Sequence, residues 1–117
     1  MALKPLVFET LLALAAGEQH GWALAREIEQ RTGQPVLPGN FYRLLRAMLA
    51  ERLVEEVDAP PAARVRALPA TGLNADRRRY LRITAAGRDV AKKEARRLDA
   101  LVAESRARRL LSDRKGG

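Results

Sequence analysis

The chain has 117 residues, with 22 Lys and Arg against 14 Asp and Glu, a formal charge of +8 and no cysteine. This length allows one domain, the charge favours a polyanionic partner such as nucleic acid, and the missing cysteines exclude disulfides and cysteine-ligated zinc. With 47% hydrophobic but only 4% aromatic residues, the composition favours a helical core of aliphatic side chains.

Three amphipathic helices are predicted in the first half of the chain. Apolar residues recur at helical spacing from about Lys4 to Ala16, from Trp22 to Arg31 and from Pro38 to Arg52. A glycine follows each of the first two, as glycine often does at a helix C-terminus. Residues 34–37 are predicted as a short extended piece. The close succession of the second and third helices is typical of a helix-turn-helix.

Two strands and one long helix are predicted in the second half. Residues 53–58 and 79–84 alternate as the strands of a β-hairpin do, and the Pro- and Ala-rich stretch between them, about 58–79, predicts a mobile wing. Thr84 predicts the N-cap of a last helix that runs towards Leu110. Its apolar stripe exceeds what a three-helix core can cover, so we expect it to pack against a second copy of the chain. The predicted dimer contacts are Leu98, Leu101 and Val102.

This order of elements predicts a mainly α fold with a small β-hairpin. The fold class is a winged helix-turn-helix domain followed by a C-terminal dimerisation helix, with the third helix entering the major groove of DNA. We assign residues 1–84 to the DNA-binding domain, 85–111 to the dimerisation helix and 112–117 to a disordered tail.

Four motifs, in this order along the chain, resemble those of PadR-family transcriptional regulators. They are Leu12 to Leu24 with its His-Gly-Trp run at 20–22, Leu37 to Leu45, Leu53 to Glu55 and Arg79 to Arg88. The match covers nearly the whole chain and is similar to the short form of the family, which has a single C-terminal helix. The resemblance implies a homodimeric regulator, usually a repressor. A dimer that places two third helices in successive major grooves of double-stranded DNA predicts a near-palindromic operator.

The same resemblance implies a small hydrophobic effector bound at the dimer interface. Phe8 and Trp22 are the candidates for such a pocket, although packing in the core is the favoured interpretation of both. At two positions the chain departs from the family, which more often has Ser in place of Asn40 and Pro in place of Arg43.

Seven residues are predicted to contact DNA. A helix inserted in a groove presents its first side chains to base edges and phosphates, and a basic wing contacts the phosphate backbone. The alternative interpretation is that the arginines are solvated surface charges. The seven are Asn40, Tyr42, Arg43 and Arg46 in the third helix, and Arg77, Arg78 and Arg79 in the wing.

Nothing in the sequence points to an enzyme, a cofactor or a metal. His20 is the only histidine, and the chain has no cysteine that could act beside it in a metal site or in catalysis. We therefore interpret His20 as a helix cap. Gly21 would allow a tight approach there, and Trp22 would lie in the core. No signal peptide or membrane span is visible, and we expect a cytoplasmic protein without a membrane partner. The rival interpretations are a protein-interaction module and an effector-sensing regulator without direct base readout.

Overall fold

The computed structural model describes residues 3–58 and 80–112, which form four helices and three short strands. All but the first residue of the predicted wing (about 58–79) and of the predicted tail (112–117) lies outside the described residues. The helices are α1 (Pro5–Ala15), α2 (Gly21–Thr32), α3 (Pro38–Ala50) and α4 (Ala85–Ala107). The strands are β1 (Gln19–His20), β2 (Val54–Val57) and β3 (Tyr80–Ile83).

The three strands form one antiparallel sheet with β3 in the middle, in the order β1-β3-β2. Strands β2 and β3 form the predicted hairpin and pair Val54 with Ile83. Strand β1 pairs Gln19 with Leu81 on the other edge of β3, and the sequence analysis did not predict it. Residues 34–37, predicted as extended, form no strand and connect α2 to α3.

A core of aliphatic side chains joins α1, α2, α3 and the sheet. Leu11 and Leu14 of α1 are almost completely buried in this core. Thr10 is buried beside them, and its hydroxyl donates a hydrogen bond to the Leu6 carbonyl at 2.7 Å, so this polar group is satisfied. The other core members are Val7, Ala13, Leu24, Ile28, Phe41, Leu45, Met48, Leu53, Val54, Leu81 and Ile83.

Two aromatic side chains predicted to pack in the core lie elsewhere. Trp22 is 48% exposed, and its predicted core position was wrong. A step of two residues turns about 200° around a helix, so Trp22 lies on nearly the opposite side of α2 from the buried Leu24. Phe8 is half-buried on α1 and is not part of the buried core. His20 caps α2 as predicted, since its Nδ1 accepts a hydrogen bond from the Trp22 backbone N–H at 3.3 Å.

The start of α4 is fixed against the sheet by Thr84 and Gly87. The Thr84 hydroxyl accepts a hydrogen bond from the Gly87 N–H at 2.9 Å, which confirms the predicted N-cap, and the Thr84 N–H donates to the Leu53 carbonyl at 3.1 Å. A methyl group on Gly87 would overlap that carbonyl. The tight approach predicted at Gly21 was wrong, because a Cβ there would lie 3.7 Å from its nearest neighbour, Tyr42 Cε1.

Helix α4 leaves most of its surface exposed. Its first half packs against α1, and the buried Glu94 there accepts hydrogen bonds from Arg97 at 2.6 Å and from the Leu3 N–H at 3.3 Å. These hydrogen bonds, that of Arg97 above all, lower the pKa of Glu94. In the second half Leu101 is 51% exposed and Val102 is exposed as well. The stripe predicted to form the dimer contact is therefore open to solvent in the single chain.

Candidate nucleic-acid interface

The residues of α3 that are predicted to contact DNA lie on one exposed face of that helix. Helical periodicity separates them from the opposite face, which packs into the core through Phe41, Leu45 and Met48. All four predicted residues, Asn40, Tyr42, Arg43 and Arg46, are exposed. Arg43 and Arg46 lie in the middle of this face, whereas Asn40 and Tyr42, two positions apart, lie at its opposite edges.

This exposed face of α3 is cationic. The helix contains no Asp or Glu, whereas Arg43 and Arg46 each add a positive charge. Among residues 3–58 and 80–112, neither arginine forms a salt bridge. The one polar contact of Arg43 there is a long one, 3.5 Å from its Nη1 to Asn40 Oδ1. Both side chains are also exposed, so an external anion can reach them.

The start of α3 offers backbone amides as well as side chains. Leu37, the N-cap residue, makes no side-chain hydrogen bond to the first turn. The first N–H groups of a helix have no partner within the helix, and they carry the positive end of its dipole. Gly39 has open space where its side chain would be. Ala47 and Ala50 are exposed on the same face and have short side chains. Another molecule can therefore approach the backbone of α3 closely.

A cleft of about 490 Å³ lies between this face of α3 and the sheet. Tyr42 and Arg46 belong both to the cleft wall and to the cationic face of α3. Tyr42 is 46% exposed, so its hydroxyl and ring edge are open to contact. The other lining residues are His20, Gly21, Leu45, Leu49, Glu56 and Leu81.

The remaining predicted site residues do not join this surface. The wing arginines, Arg77, Arg78 and Arg79, lie outside the described residues. Neither Phe8 nor Trp22 lines this cleft or the smaller cleft beside β2. The effector pocket assigned to these two aromatic residues stays a prediction.

The sequence analysis missed a group of exposed residues at the start of α2. The guanidinium carbon of Arg26 lies 5.7 Å from the centre of the Trp22 ring. The His20 ring packs edge-on against Trp22, with 6.3 Å between the ring centres. A signal for this group was present, because residues 22 and 26 are four apart and therefore share one side of a helix.

Two other kinds of site are absent from residues 3–58 and 80–112. No three His, Cys, Asp or Glu side chains come together there as metal ligands do. The helices in those ranges are too short or too polar to cross a lipid bilayer.

Comparison with known proteins finds similarity in structure rather than in sequence. No protein-family model matches the chain, and no curated protein does. A PadR-like transcriptional regulator from Bacillus cereus strain ATCC 14579 has a similar structure, with a TM-score of 0.67 and 21% identity over 92% of this chain and 93% of the other. The structure of hsRosR-S4, described as a complex, gives a TM-score of 0.59 and 20% identity over 90% of each chain.

These two matches establish the fold. The chain is mainly α-helical with a small antiparallel sheet and has the winged-helix fold of the PadR-like regulator, as the sequence motifs predicted. The fold class is therefore confirmed, with one strand more than the predicted hairpin.

Proposed function

We propose that this protein is a transcriptional regulator that binds double-stranded DNA through α3. The observation that carries the proposal is the exposed face of α3, which has two arginines without a salt bridge in the described part of the chain, no carboxylate and small residues along its centre. A surface helix that serves only solubility typically mixes charges of both signs. The structural neighbour from Bacillus cereus is a transcriptional regulator, which supports the same function.

In this proposal α3 lies in the major groove, which is wide enough to admit a helix. Asn40 has the side-chain amide that pairs with the donor and acceptor edge of adenine, and arginine pairs in the same two-bonded way with guanine. Arg43 and Arg46 therefore each read a guanine or bind a phosphate. Tyr42 contacts the sugar-phosphate backbone of the DNA through its hydroxyl. The wing arginines, Arg77, Arg78 and Arg79, add phosphate contacts that carry no sequence information.

The proposed regulator acts as a homodimer held together by α4. Leu101 and Val102 are exposed in the single chain, and Leu98, one turn earlier, is half-buried. Packing two copies of this stripe together would remove them from water. The two α3 helices then meet successive major grooves, and the half-sites of a near-palindromic operator lie about 34–36 Å apart or at a multiple of that spacing. Repression follows if the operator overlaps a promoter.

The first test separates reading of bases from attraction to any polyanion. The wild-type protein selects duplexes from a random pool, and affinity is then measured for the selected duplex and for a scrambled one. Arg43→Ala and Arg46→Ala are compared with Lys92→Ala, which removes one exposed positive charge from α4.

We expect at least one of the two α3 variants to lose about 1–3 kcal/mol on the selected duplex alone, as an arginine that reads a base does. Lys92→Ala retains the preference. If the wild type and both α3 variants prefer the selected duplex over the scrambled one by the same factor, Arg43 and Arg46 do not read bases. Equal weak binding of both duplexes by the wild type would instead favour a module that binds other proteins.

A further inference from the structure

Trp22 is a large apolar side chain held in a fixed position on the surface. It is the only tryptophan of the chain, and 48% of it is exposed. The guanidinium group of Arg26 lies over one side of its ring, at 5.7 Å, and the His20 ring meets it edge-on. Exposed aromatic residues with a polar N–H are typical of binding surfaces, because they add contact area with little loss of conformational freedom.

Both carboxylates of α2 are bound within the fold: Glu27 lies on another side of the helix from Trp22, and Glu29, three residues after Arg26, lies on the same side. Glu27 accepts hydrogen bonds from Gln19 Nε2 at 2.7 Å and from Arg31 at 2.8 Å. Glu29 accepts one from the Val36 N–H at 2.7 Å. Arg26 forms no salt bridge among residues 3–58 and 80–112. The charged group that lies against Trp22 is therefore the Arg26 guanidinium, while the Glu29 carboxylate on the same side is held by the Val36 N–H.

His20 adds a hydrogen-bond donor to the same place. Its Nδ1 accepts a hydrogen bond from the Trp22 backbone N–H, so the neutral ring carries its proton on Nε2. Within the described part of the chain, that Nε2–H donates to no other residue. The ring is held in place on its other side by Tyr80, with the ring centres 5.8 Å apart.

This group of residues is continuous with the exposed face of α3. Gly21, between His20 and Trp22, lies beside the Tyr42 ring, and His20, Tyr42 and Arg46 line one cleft. When the second helix of a helix-turn-helix occupies the major groove, the first helix crosses the phosphate backbone. The first helix of this pair is α2.

We propose that His20, Trp22 and Arg26 bind the phosphodiester backbone beside the groove that α3 enters. The indole Nε1–H and the imidazole Nε2–H donate to phosphate oxygens, and the Arg26 guanidinium supplies the charge. None of the three reads a base, so together they set affinity and register rather than sequence preference. This inference rests on the proposed DNA-binding function and adds a named second surface to it.

The fluorescence of Trp22 tests the contact directly, because no other tryptophan contributes. A labelled duplex reports binding by its anisotropy, and acrylamide quenching reports how accessible Trp22 is in the same sample. We expect strong quenching of the free protein and protection of Trp22 once the duplex is saturated. Saturated duplex with unchanged quenching overturns this inference and leaves the function of α3 intact. No change in anisotropy with any duplex overturns the proposed function itself.

Two variants then separate phosphate binding from a role in folding. Arg26→Gln should weaken binding to the selected and the scrambled duplex by the same factor, and should reduce the slope of log K against log salt by about 1. Trp22→Phe keeps an aromatic, though smaller, ring and removes the N–H, and should weaken both complexes without lowering the melting temperature. Lys92→Ala is the matched control for charge. An unchanged salt slope in Arg26→Gln, or a loss confined to the selected duplex, contradicts the proposal.

Discussion

Replacing Gly87 by alanine tests how closely α4 approaches the sheet. The new Cβ would overlap the Leu53 carbonyl oxygen and lie 3.0 Å from Ile83 Cγ1. Because the first neighbour is backbone, the clash cannot be relieved by a side-chain rotation, and the start of α4 must move away. That movement also stretches the hydrogen bond from the Thr84 N–H to Leu53, which is 3.1 Å long.

Three free-energy contributions determine how much stability Gly87→Ala loses. Overpacking of this kind costs about 1–3 kcal/mol, and a weakened hydrogen bond costs about 1 kcal/mol more. The better helix propensity of alanine offsets at most about 1 kcal/mol. We therefore expect Gly87→Ala to lose about 2 kcal/mol of unfolding free energy, which lowers the melting temperature by roughly 6–12 °C in a domain of this size.

Gly39→Ala is the matched control, because Gly39 also lies in the first turn of a helix but has open space around it. Its stability should equal or slightly exceed that of the wild type. Thermal and urea unfolding are followed by circular dichroism at one protein concentration, since the stability of a dimer depends on concentration. If Gly87→Ala unfolds within about 0.5 kcal/mol of Gly39→Ala, a margin typical of surface changes, the described junction between α4 and Leu53 is refuted.

Three further predictions concern the cap, the dimer and the acid stability. Thr84→Ala removes the N-cap of α4 and should lose about 1 kcal/mol of unfolding free energy, whereas Thr84→Ser keeps a hydroxyl and most of the stability. Equal losses of unfolding free energy in the two variants, measured by urea unfolding, would contradict the cap. Leu101→Asp should reduce the mass in solution to the 13.0 kDa of one chain, while Ala103→Asp, on the other side of α4, should not; a wild-type monomer would contradict the dimer. The hydrogen bonds that lower the pKa of Glu94 stabilise the fold above the unfolded pKa of about 4.3, and this contribution disappears as the pH falls through the lower folded value. In acid unfolding, Glu94→Gln should therefore lose less stability than the wild type across that pH range. If the stability of both proteins falls equally with pH, Glu94 does not stabilise the fold in this way.

The helices and the hairpin were predictable because each is long enough to show a period. The 3.6-residue repeat in α3 and α4 and the alternation in β2 and β3 each extend over several residues. Strand β1 has only two residues, Gln19 and His20, which is too few for any period. It exists because the edge of β3 is free to pair, and pairing is a property of the tertiary fold.

The error at Trp22 has a different cause, since hydrophobicity was given more weight than position on the helix. The buried residues of α2 are Gly21, Leu24 and Ile28, and these define a face from which residue 22 is turned away. The tight approach predicted at Gly21 was wrong as well, because a sequence does not reveal which glycine another backbone approaches. That glycine is Gly87, and its neighbour Leu53 is 34 positions earlier in the chain.

The exposed face of α3 was predictable in composition but not in its surroundings. The spacing of Arg43 and Arg46 sufficed to place them on one side of α3, with Asn40 and Tyr42 at the two edges of that side. Their position beside His20 and Trp22 depends on how α2 and α3 pack, which no local pattern encodes. The second proposed DNA contact therefore emerged only from the three-dimensional structure.

The most direct test of the central claim is the affinity of the wild-type protein for a duplex selected from a random pool and for its scrambled counterpart, each at two salt concentrations. The account predicts a steep salt dependence and a preference of roughly 10³-fold or more for the selected duplex, as specific regulators show. A pool without an enriched sequence, together with equal weak affinity for both duplexes, would contradict it and leave only the attraction of a cationic protein to a polyanion.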